Sequence, residues 1–85
     1  MSDNAKRILV VARDDKVEAL RMATGLTLLD DEVRVAVLGE LDENSDDVQL
    51  QLESLDFADV PVERVTEGPR AVAGMMLNSD AVFFV

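Results

Sequence analysis

The sequence predicts an α/β domain in the order βαβαβαβ. Short apolar runs rich in β-branched residues recur four times, the first being Ile8-Leu9-Val10-Val11-Ala12 and the last Ala81-Val82-Phe83-Phe84-Val85. Between them lie three segments whose apolar residues follow helical spacing, each preceded by a helix-starting signal. Strands that alternate with helices pair in parallel through right-handed crossovers. The chain of 85 residues is one domain, 1–85, with residues 1–5 read as a flexible tail.

The first run, Ile8 to Ala12, is continuous rather than alternating, as expected of a strand buried on both faces. Arg13-Asp14-Asp15 follows as a loop. Asp15 is placed to cap a helix, with Glu18 completing a capping box. That helix runs from about Lys16 to Leu28. Ala19, Leu20, Ala23, Leu26 and Leu29 fall on helical spacing and form its apolar stripe, with Met22 beside them. Gly25 costs about 1 kcal/mol of helix propensity, which points to close packing of helix on sheet. Asp30-Asp31 ends the segment.

Val33 to Leu38 is the second strand, closed by Gly39, and Asp42 to Asp47 is a charged linker. Val48 to Leu55 fits both periods: Val48, Leu50 and Leu52 alternate, while Val48, Leu52 and Leu55 follow i, i+4, i+7. Ser45-Asp46-Asp47 in front makes a good helix N-terminus, which decides for helix. Val60 to Val65 is the third strand, with Pro61 at its beginning or on a side that needs no hydrogen bond. Gly68-Pro69 opens the third helix, whose apolar face holds Val72, Met75 and Met76 and which Asn78 stops. The fourth strand, Ala81 to Val85, is wholly apolar. It is either an interior strand or one that another chain covers, and the expectation is a homo-oligomer that buries Phe83 or Phe84.

Composition narrows the chemistry. There is no cysteine and no histidine, so thiol, imidazole and zinc-thiolate chemistry are excluded for this chain. No metal site and no cofactor are expected, and no catalytic residue is assigned. The formal charge is −10, from 18 acids against 8 bases. Nucleic acid and anionic membranes are therefore not expected as partners. The acidity suits a basic partner surface, a salty interior or a plain solvated surface. No apolar run approaches the ~20 residues of a membrane span, and the polar N-terminus has no signal-peptide core. The expected location is the cytoplasm.

Parallel sheets bind ligands at the C-terminal ends of their strands. Thr66-Glu67-Gly68-Pro69-Arg70 is the most suggestive of these ends. Gly68 allows close backbone approach, and Arg70 with Arg13 could complete an anion clamp beside Thr66 and a helix N-terminus. The plain alternative is that Gly68-Pro69 only starts a helix and the arginines pair with neighbouring acids. Asp14-Asp15 is similar to the acidic pair of response-regulator receivers, but helix capping explains it better, since no acceptor aspartate ends the third strand. Neither GxGxxG, a P-loop nor GxSxG occurs.

Ile8-Leu9-Val10-Val11, then Glu18-Ala19-Leu20-Arg21-Met22-Ala23, then Glu32-Val33-Arg34-Val35-Ala36-Val37-Leu38-Gly39 resembles the DsrE/DsrF-like superfamily of sulfur relay and sulfur oxidation. Asp80 to Val85 resembles that family's fourth strand. The resemblance implies a flavodoxin-like three-layer fold, here with a four-stranded parallel sheet of order 2-1-3-4, and an oligomer. Active members carry a persulfide cysteine near the start of the helix after the third strand. The matching stretch, Thr66 to Arg70, has none. The implied function is a non-catalytic accessory protein, partnered with itself and with a sulfur-relay protein. The alternative is a small-molecule or anion-binding domain using Arg13, Thr66, Gly68 and Arg70.

Overall fold

A computed structural model describes residues 6–28, 31–65 and 69–85. The elements are β1 (Arg7–Ala12), α1 (Lys16–Leu26), β2 (Glu32–Leu38), α2 (Asp46–Phe57), β3 (Val62–Val65), α3 (Pro69–Leu77) and β4 (Ala81–Phe84). All four strands are parallel, in the order β3-β2-β1-β4.

The type and sequence of elements follow the expectation, but the strand order does not: it is 3-2-1-4, not 2-1-3-4. In 2-1-3-4 the third strand would be interior, covered on both faces. Its sequence is Val62-Glu63-Arg64-Val65, with adjacent charges that point to opposite faces, and both are exposed. Only an edge tolerates that pattern. The apolar Ala81–Phe84 segment pairs with β1 instead, Ile8 to Ala81 through Val11 to Phe84.

Right-handed crossovers then fix the layers. The chain steps from β1 to β2 to β3 in one direction, so α1 and α2 share a face. It returns to β4 in the other direction, so α3 lies on the opposite face. The core divides accordingly. Ile8, Val10, Ala12, Val33, Val35 and Val37 pack with Ala19, Leu20, Ala23, Val48 and Leu55 under α1 and α2. Leu9, Val11, Ala36 and Val65 pack with Val72 under α3. β1 is buried on both faces, as its unbroken apolar run predicts.

Local chemistry explains the helix ends. The Asp15 carboxylate accepts the Glu18 N–H at 3.1 Å and caps α1. The reciprocal half of the box is replaced by an ion pair of Glu18 with Arg21 at 3.9 Å. α1 stops at Leu26, two residues earlier than expected, where Thr27 is the C-cap. The ambiguous segment after β2 is helical, from Asp46 to Phe57 with Ser45 as N-cap. α2 closes in a Schellman motif: the Val60 N–H donates to the Leu55 carbonyl at 2.9 Å and the Asp59 N–H to the Asp56 carbonyl at 3.0 Å. Asp59 takes the left-handed position, at φ 60°.

Two readings need correction. Gly25 is exposed and a Cβ there meets no atom within 4 Å, so close packing does not explain it. Met76 is exposed rather than in the core, whereas Met22 and Met75 do pack against it.

These features set stabilities that urea or thermal denaturation reads. Gly25→Ala raises stability by about 1 kcal/mol, because an open helix site gains propensity without a clash. Asp59→Gly raises it by up to about 1 kcal/mol, relieving the left-handed position. Leu9→Ala lowers it by about 2–5 kcal/mol by emptying the centre of the α3 face.

Candidate functional site

The strand order reverses between β1 and β4, and α1 and α3 lie on opposite faces there. In open α/β sheets the C-terminal side of such a reversal is the place where ligands bind. Here the local backbone is already paired. The N–H groups of Arg13 and Asp14 both donate to the Val85 carbonyl, at 2.8 and 2.9 Å. These are the groups that would otherwise cradle an anion.

The side chains are committed as well. The Arg13 guanidinium pairs with Asp14 at 3.2 Å and lies 5.6 Å above the Phe84 ring centroid. The Asp15 carboxylate caps α1. Arg70 is exposed in the first turn of α3. That helix follows β3, two strand spacings or about 10 Å from β1. Thr66 and Gly68, the other two residues of the expected clamp, lie outside the described residues. Arg13 thus follows the plain alternative of pairing with a neighbouring acid.

Two clefts open at the other end of the sheet. One, of about 200 Å³, is lined by Arg7, Glu32, Arg34, Asn78 and Ser79. Arg7 faces Asp80 at 3.8 Å. The Asn78 amide and the Ser79 hydroxyl donate to the Gly74 and Met75 carbonyls at 3.2 and 2.8 Å, so they finish α3 rather than await a ligand. The second, of about 450 Å³, takes Asp31, Glu32 and Asp59 into its wall against one base, Arg34. It lies beside the C-terminal ends of α1 and α2, neither of which carries a base in its last turn. Acids and helix C-termini together disfavour an anion there.

Among the described residues no polar or charged side chain is buried, and no group of three or more acids is arranged to hold a metal ion. No helix among the described residues is long and apolar enough to cross a membrane.

The residues that stand out are apolar and at an edge. β4 is hydrogen-bonded to β1 on one side and, among the described residues, open on the other. Phe83 on the α1/α2 face is 42% exposed, and Phe84 on the α3 face 48%. The opposite edge, β3, differs in every respect. It follows Pro61, exposes Glu63 and Arg64, and ties Arg64 to Glu43 in an ion pair. Phe83 and Phe84 are the pair that the sequence singles out for an interface, and both are part-exposed at this edge. Sequence reasoning missed the Val85 carbonyl, a backbone acceptor with no side-chain signal, and it missed the edge position of β3, which Glu63-Arg64 announces.

No protein-family model matches the chain, and no curated protein or solved structure does.

Because Arg13 is spent on Asp14 and Phe84, sulfate or phosphate raises the melting temperature of Arg13→Ala by as much as that of the unaltered chain. A gain that vanishes in the variant would restore the anion clamp. The substitution itself costs less than about 1 kcal/mol, as an exposed ion pair and cation–π contact allow.

Proposed function

We propose that this chain is a non-catalytic, self-associating interaction module whose working surface is the outer edge of β4. The observation that carries the reading is the contrast between the two edges of one sheet. An open edge is a row of unpaired donors and acceptors, and proteins guard it with charge, proline or cover. β3 has such guards, and among the described residues β4 has none. The outer side of β4 offers Ala81, Val82, Phe83 and Phe84, with both aromatic rings part-exposed.

Chemistry argues in the same direction. The chain has no cysteine or histidine, and its carboxylates and guanidinium groups lie on the surface among the described residues. An acid or base catalyst needs a partly desolvated, oriented group.

The resemblance of β1, α1 and β2 to the DsrE/DsrF-like superfamily supports extending this reading to an accessory role beside a sulfur-carrying subunit. The order 3-2-1-4 is not the one that the resemblance implies, so the extension rests on the sequence pattern alone.

Sedimentation equilibrium at micromolar concentration is expected to give a mass above 9.3 kDa. Phe84→Lys is expected to return the chain to monomer with its circular dichroism unchanged. A monomer at every accessible concentration, with and without the substitution, overturns the reading.

A further inference from the structure

The backbone of β4 specifies how such an association is built. The Val85 N–H donates to the Val11 carbonyl at 3.0 Å, and the Val85 carbonyl accepts the Arg13 N–H at 2.8 Å. Val85 therefore turns both of its backbone groups toward β1. Backbone direction alternates along a strand, so Phe83 also turns inward, while Val82 and Phe84 turn theirs to the open edge.

We infer that β4 pairs antiparallel with β4 of a second copy, about a two-fold axis that passes through Phe83 perpendicular to the sheet. This rests on the self-association proposed above and names its partner and register. A perpendicular axis keeps each face on its own side, so a residue can face only one of equal parity. Three registers deserve comparison. An axis at Val82 sets Asp80 against Phe84 of the second copy. An axis at Phe84 overlaps the two copies of β4, Ala81–Phe84, over fewer residues than an axis at Phe83. An axis at Phe83 sets Val82 against Phe84, Phe84 against Val82, and Ala81 against Val85, with Phe83 meeting itself. Every cross-strand pair is then apolar. The two pairs of Val82 with Phe84 also hold the outward N–H and C=O groups, so four backbone hydrogen bonds form across the axis.

Charge permits the union although each chain carries −10. Both ends of β4 are locally neutral: Arg7 faces Asp80 where the strand begins, at 3.8 Å, and Arg13 faces Asp14 where it ends, at 3.2 Å. The antiparallel arrangement brings the Asp80 end of one copy to the Arg13 end of the other. Asp80 and Phe84 share the α3 face by parity, and Arg13 already lies over the Phe84 ring. Two internally paired, neutral ends thus meet, and among the described residues the association brings no unpaired like charges together. The product is one continuous sheet of eight strands, whose two remaining edges are the charged β3 strands. This association closes and cannot propagate.

The absence of native cysteine makes the register directly testable. In an antiparallel pair that is not hydrogen-bonded, facing Cα atoms lie about 4.5 Å apart, within disulfide range. Phe83→Cys is expected to form a disulfide-linked dimer under mild oxidation, doubling the mass on a non-reducing gel. Val82→Cys alone is expected to link to itself poorly, because its two copies would lie about 8 Å apart. An equal mixture of Val82→Cys and Phe84→Cys is expected to link as the mixed dimer. Val82→Pro, which removes one outward donor per strand and leaves the bonds to β1 intact, is expected to lose the dimer in sedimentation with its circular dichroism retained. Reduced samples of each cysteine variant are sedimented in parallel. A dimer that links at Val82→Cys as readily as at Phe83→Cys, or that survives Val82→Pro, overturns this arrangement and leaves self-association standing. A monomer throughout overturns both.

Discussion

The whole structure depends on β1 being apolar on both faces. Leu9 and Val11 need cover on one side and Ile8, Val10 and Ala12 on the other. A strand in that position also needs a hydrogen-bonding neighbour on each side, and β2 and β4 supply them. With β2 beside β1 and the crossovers right-handed, little freedom remains. α1 and α2 must share a face, α3 must take the other, and the charged β3 must lie outermost. Burial of one six-residue strand thus dictates the order of four.

Much of this was legible. Element type and sequence follow from apolar period, and the Asp15 cap from a single carboxylate ahead of Lys16. The helix over Asp46–Phe57 was decided by Ser45-Asp46-Asp47, because apolar period alone supports either answer there. Strand order was legible too, in Glu63-Arg64, but the family resemblance pointed elsewhere. Period shows which residues are apolar, whereas edge position follows from which residues are not. Gly25 misled for a related reason: a helix glycine invites a packing explanation, and only the open space around it removes that explanation. The Val85 carbonyl was beyond reach, since a backbone acceptor carries no residue-type signal.

The functional reading follows from where polar groups are spent. The reversal between β1 and β4 has the topology of a ligand crevice, yet its N–H groups are held by the chain itself. The arginine best placed to attract an anion is paired. Unspent bonding capacity remains instead along β4, in backbone groups and part-exposed rings. A domain of this size has a thin second core: among the described residues, Val72 is the one residue of α3 buried over its face of the sheet. Added burial at β4 would lengthen the sheet and reinforce the strand that the rest depends on.

The pairing of β1 with β4 has a kinetic side. Arg7 and Asp80, hydrogen-bonded across the start of the two strands, are 73 residues apart in the chain. Contacts so distant in sequence carry a large loop-closure cost before they return any stability. During synthesis β1 and β2 emerge together and can pair, whereas the other edge of β1 stays bare until the last helix has crossed the sheet. For that interval the most apolar strand of the molecule is an unsealed template, which a strand from any nascent neighbour could occupy. The late arrival of β4 thus makes crowded translation the condition under which this small domain is most exposed to misassembly.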